Sequence, residues 1–137
     1  MSASISILRK FASEGSLTLR VAGDCMSPIL TRGEIVDVVE SAFYLPGDIV
    51  AFARADGALV VHRFLGYAWK QGQVVGVTQA DDSTTRDAAV SLDRIVGRVV
   101  CRHRDGASLS PSIADRARAS ASFLSATLLH LHRRGRA

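Results

Sequence analysis

Val21-Ala22-Gly23-Asp24-Cys25-Met26-Ser27-Pro28-Ile29-Leu30-Thr31-Arg32-Gly33-Glu34-Ile35-Val36 is the stretch that decides how this chain reads. Ahead of it, Leu17-Thr18-Leu19-Arg20-Val21 alternates apolar and polar residues rich in β-formers, which predicts a strand running into a turn at Gly23. Gly23 lets the backbone turn tightly, and Pro28 fixes the chain after the turn. The turn carries a thiol, Cys25. A cysteine attacks carbonyls as its thiolate, so it needs a base or a positive neighbour. His62, in the apolar run Val60-Val61-His62-Arg63-Phe64, is a candidate base, because imidazole and thiol have ordinary pKa values within about two units of each other. Alone, either residue is weak evidence: a lone cysteine is usually a small core hydrophobe and a lone strand histidine usually structural.

Outward from this stretch, further strands are expected at 34–39, 48–54 and 58–66, with Asp56-Gly57 as a tight hairpin turn between the last two. Another hairpin is expected at 67–78 around Lys70-Gln71-Gly72-Gln73, a polar loop at 79–91, and a last strand at 95–102. Apolar positions Ile5, Ile7, Leu8, Phe11 and Ala12 predict a short N-terminal helix ended by Gly15. Ser110-Pro111-Ser112 is a helix-start signal, and Ile113, Ala117, Ala121, Leu124, Leu128 and Leu131 form an apolar stripe over 112–132. The expected organisation is a short helix in 1–15, a β domain in 16–104 and an amphipathic basic helix in 105–137.

The 137 residues suit one domain, and 47% hydrophobic content supports a core. The net charge of +4 comes largely from Arg116, Arg118, Arg133, Arg134 and Arg136 near the C-terminus. Such clusters are mostly solvated faces, so no nucleic-acid partner is expected; residues 112–132 are a candidate contact with a membrane surface or a partner. Cys25 and Cys101 can form one bridge at most, and the first ten residues lack the long apolar run of a secretory signal or a membrane span. A cytoplasmic location, with possible peripheral attachment to membrane, is the expectation. Cys101 reads as an inert strand thiol. No zinc spacing, phosphate loop or dinucleotide fingerprint is present, so no metal and no cofactor are expected.

Three boxes together resemble the superfamily of type I signal peptidases and SOS-repressor peptidases. Gly23-Asp24-Cys25-Met26-Ser27-Pro28 followed by Gly33-Glu34 is similar to its first box, with cysteine in place of the nucleophilic serine. Pro46-Gly47-Asp48-Ile49-Val50-Ala51-Phe52 looks like the second, and Val60-Val61-His62-Arg63 looks like the third in its endoplasmic-reticulum and archaeal form, where the base is histidine followed by arginine. Asp81-Asp82 through Asp87 is similar to that branch's acidic loop. The resemblance covers residues 18–101 and implies a mainly β fold, a partly open antiparallel coiled barrel with a short N-terminal and a longer C-terminal helix.

It also implies roles: Cys25 as nucleophile and, through its backbone N–H, as oxyanion donor; His62 as base; Asp87 as the third member, with Asp81 in reserve. The remaining box residues, Gly23, Met26, Pro28, Asp48 and Arg63, read as structural, with Asp48 and Arg63 as a candidate ion pair. The implied function is an endopeptidase acting on a peptide or precursor protein that docks as an added strand beside the one preceding Cys25, with small residues before the scissile bond. The rivals are an inactive peptide-binding module on the same fold, a self-cleaving repressor-like regulator, and a thiol redox sensor. The second lacks room for a DNA-binding unit before Gly15.

Overall fold

A computed structural model describes residues 3–23, 26 and 29–135, with side chains for 5–23, 26 and 29–124. Of the residues named above, Cys25 and Pro28, together with Asp24, Ser27 and Arg136, lie outside the described residues. The chain is mainly β. Seven strands, β1 (Leu17–Arg20), β2 (Ile35–Val39), β3 (Ile49–Ala53), β4 (Leu59–Lys70), β5 (Gln73–Gln79), β6 (Val90–Ser91) and β7 (Ile95–Arg102), form one antiparallel sheet curled as a half-barrel. Their order across the sheet is β1-β2-β7-β3-β4-β5-β6. Helices α1 (Ala3–Ser13) and α2 (Ile113–Gly135) flank it.

The central strand explains the layering. β3 is apolar throughout, Ile-Val-Ala-Phe-Ala, and all five residues are buried, as expected where both faces of a strand are covered. Ile49 and Ala51 face a core with Met26, Leu30, Val36, Val38, Val96 and Val99, closed by Ala12 of α1. Val50 and Phe52 face a second core with Tyr44, Phe64, Val90 and Ile95. β2 follows the simpler alternation, with Val36 and Val38 fully buried between half-buried neighbours. β7 must pass close to β2: a Cβ on Gly97 would lie 2.5 Å from the Val39 carbonyl oxygen, a separation no side chain tolerates.

Two elements differ from the sequence expectation. The strand expected at 58–66 continues without a break to Lys70, so the expected second hairpin is the far end of β4 folded back onto β5, turning at Gln71 and Gly72 with φ of 51° and 77°. The irregularity falls instead inside the strand, a bulge between Phe64 and Gly66. The expected loop at 79–91 ends in the two-residue strand β6, which pairs with β5 at Gly76 and Val75.

The face of α2 that meets the sheet is not the aliphatic stripe. Ile113 is 88% and Leu124 57% exposed, and Ala117 and Ala121 between them also face solvent; the side chains of Leu128 and Leu131 lie outside the described residues. Packing runs instead through Arg116, Ala119 and Phe123. Phe123 fits against Gly66, where a Cβ would come within 3.2 Å of the ring, and Ala119 joins Leu65 and Val77. Arg116 approaches Asp48 at 3.2 Å and donates to the Pro46 carbonyl at 3.2 Å. Asp48 is 4% exposed, and a buried carboxylate requires a cation. That requirement and the hollow at Gly66 select the face, overriding aliphatic content. No described helix is long and apolar enough to cross a membrane.

Candidate active site

His62 sits on β4 opposite Val50 and is 7% exposed. Its ring meets the edge of Phe52 at 5.6 Å between centroids, which holds its plane. His62 Nδ1 lies 2.6 Å from Asp87 Oδ2. A carboxylate only accepts, so Nδ1 carries the hydrogen and donates, leaving the Nε2 lone pair as the basic position. Asp87 is itself fixed. Its backbone N–H donates to the Thr78 carbonyl at 2.9 Å, pinning the loop to β5, and Thr78 Oγ1 donates to the same Oδ2 at 2.7 Å. Thr78 is completely buried. The sequence reading did not single out Thr78. The one available signal was a hydroxyl at an inward position within the run Val74-Val75-Gly76-Val77-Thr78.

Arg63, next along β4, turns to a different partner from the one expected. Its Nε and Nη2 donate to the two carboxylate oxygens of Asp81 at 3.2 and 2.7 Å, and its Nη1 donates to the Gly47 carbonyl at 2.9 Å. The expected Arg63–Asp48 pair is therefore replaced by Arg63–Asp81 and Arg116–Asp48. Successive residues of a strand point to opposite faces, so Arg63 cannot share the His62 side of β4. Engaged at both oxygens, Asp81 is also not the acid beside His62; Asp87 is.

A groove of about 460 Å³ opens beside His62. One wall is the segment from Leu19 to Gly23, the other residues 58–62, and Met26 and Val36 line it as well. Gly23, Met26 and His62 thus border one cavity, and Cys25 lies between the first two in sequence. Met26 is 1% exposed and packs in the first core. β1 is paired only on its β2 side, and in β4 the pairing with β5 begins at Arg63, so both walls present strand edges with no ladder partner among the described residues. Unpaired edges of this kind accept an extended peptide.

Cys101 is half-buried near the end of β7, its Sγ 3.6 Å from the Arg102 carbonyl oxygen. Among the described residues no three His, Cys, Asp or Glu side chains converge closely enough to hold a metal ion. No family model matches this chain, and no curated protein matches it.

Proposed function

We propose that this chain is an endopeptidase of the signal-peptidase and repressor-peptidase type, with Cys25 as nucleophile, His62 as base and Asp87 as the residue that orients His62. One observation carries the reading: the 2.6 Å His62–Asp87 contact, buttressed by Thr78, at the wall of a groove that Gly23 and Met26 also line. A histidine held by a carboxylate on Nδ1 is the base half of a nucleophilic triad, and the missing half falls at Cys25 by sequence.

In this reading an extended peptide lies between β1 and the start of β4, hydrogen-bonded to both edges. His62 Nε2 takes the proton of the Cys25 thiol, and the thiolate adds to the scissile carbonyl. The oxyanion is met by the Cys25 backbone N–H. Collapse breaks the C–N bond as His62 returns its proton to the leaving amine, giving a thioester. Water, deprotonated by His62, then releases the acid and regenerates the thiol. Asp87 keeps Nδ1 protonated and stabilises the imidazolium in both halves.

The deciding experiment compares the two cysteines. Cys25 should react with iodoacetamide as a thiolate at pH values below the roughly 8.5 of a free thiol, and His62→Ala should remove that reactivity. Cys101 serves as the internal reference. If both cysteines react with the same rate and pH dependence, the peptidase reading fails.

A further inference from the structure

We propose that the groove selects peptides bearing acidic side chains three to five residues from the bond they present at His62, recognised by Arg20 and Arg54. This deepens the peptidase reading by naming its substrate class, and rests on that reading for the position of the bond. Among the described residues that line the groove, Arg20 and Arg54 are the only permanently charged ones, and no carboxylate joins them.

Their positions agree with each other. Four successive antiparallel pairings separate β1 from β4, so the two walls run in the same direction. Arg20 lies three residues before Gly23 on one wall, about 10 Å along an extended chain. On the other, the Arg54 N–H donates to the Ala58 carbonyl at 2.9 Å, and Ala58 lies four residues before His62, about 13 Å. Both residues therefore stand at the same end of the groove, with aliphatic wall between them and His62. Arg20 donates to a neutral acceptor, the Gly33 carbonyl, at 3.2 Å. Arg54 contacts Asp56 at 3.1 Å, but that pair is 52% and 62% exposed, so a carboxylate arriving in the groove can share the cation. An extended peptide pairing with both edges would carry its side chains past these two groups every second residue.

The test uses the full chain carrying Cys25→Ala, so that peptides are held and not turned over, with fluorescein-labelled ten-residue peptides of alanine-rich sequence. Glu, Gln or Lys is placed at each position on either side of the centre, and affinity is read by anisotropy. Glu three to five residues from the centre, on one arm only, should tighten binding about fivefold over Gln, with Lys weaker than Gln. The advantage should fade between about 50 and 500 mM salt, as screened attraction does. Arg20→Gln with Arg54→Gln should abolish it, and Arg20→Glu should shift the preference toward Lys. Equal affinity for Glu and Lys peptides, an acidic preference that survives in the double variant, or no binding of any peptide overturns the proposal. The same peptides offered to the unaltered chain and read by mass spectrometry separate the two readings. Cleavage without acidic preference removes only this inference, whereas acid-selective binding without cleavage removes only the peptidase.

Discussion

Arg63 holds Asp81 through both carboxylate oxygens, at 3.2 and 2.7 Å. This contact takes Asp81 out of reach of His62, the neighbour of Arg63 in sequence, and leaves Asp87 as the one acid at His62 among the described residues. The acidic loop thus divides its work, one carboxylate tying the loop down and another facing the groove residue.

The division makes Asp87→Asn and Asp81→Asn different experiments. With Asn at 87 the carboxylate charge is lost and the amide can present its N–H to Nδ1, which favours the wrong tautomer, so Cys25 alkylation at neutral pH should fall by at least tenfold while the circular dichroism spectrum is unchanged. With Asn at 81 the reactivity should stay within about twofold and the melting temperature should drop slightly, since a partly exposed pair contributes little. Equal effects at both positions would dismiss Asp87 as the orienting residue.

Thr78 supplies the second bond to Asp87. Thr78→Val keeps the shape and removes the hydroxyl, which should lower stability by about 1 kcal/mol in urea titrations and reduce Cys25 reactivity less than Asp87→Asn does. A Val variant as reactive as the parent would mean that the backbone bond from Asp87 to Thr78 suffices to place the carboxylate.

The docking of α2 predicts a reversal of the aliphatic order of importance. Phe123→Ala should destabilise by about 1–2 kcal/mol, because the ring is half-buried on Gly66 beneath the Arg86 guanidinium, 5.2 Å from its centroid. Leu124→Ala, at an exposed position, should change stability by less than about 0.5 kcal/mol. Thermal melts of the two variants check the ranking, and a larger loss at Leu124 would refute the packing face.

Acid should loosen the start of α2. Asp115 accepts from the Ser112 N–H at 3.1 Å while its own N–H donates to Ser112 Oγ at 3.1 Å, a reciprocal cap. These bonds, first the backbone one, hold the Asp115 carboxyl below its ordinary value of 3.8. A carboxylate whose folded value is depressed adds stability that is complete above the unfolded value and disappears as pH falls through the folded one. Asp115→Asn should therefore be less stable than the parent at neutral pH, and the gap should close below about pH 4. A gap independent of pH would show that the charge plays no part.

Gly97→Ala tests the tightest crossing in the sheet. The added methyl would meet the Val39 backbone oxygen, which cannot rotate away, so a loss of about 1–3 kcal/mol is expected. Urea titration measures it; a neutral outcome would mean that β2 and β7 can part at no cost.

Local rules determined much of this molecule in advance. Alternation placed β1, and runs of β-forming residues between turn signals placed β2, the central strands and β7, because a strand covered on one face is apolar at every second position and one covered on both is apolar throughout. The resemblance of the boxes to those of known peptidases singled out His62 and Asp87, 25 residues apart, before any geometry was known, and the two side chains meet. Tertiary structure alone decided the rest, wherever a side chain had several partners of equal chemical merit. Arg63 could satisfy Asp48 or Asp81 on charge, and only the direction of β4 and the path of the loop chose Asp81. The aliphatic stripe of α2 was its most apolar face, yet the buried Asp48 needed Arg116 and Gly66 left room for Phe123, so the helix turned another side inward. Thr78 became part of the site because the loop returns onto β5. Sequence periodicity records which residues tend to be buried, but it does not record which neighbours the fold will bring to them, and pairing, docking faces and second supports depend on those neighbours.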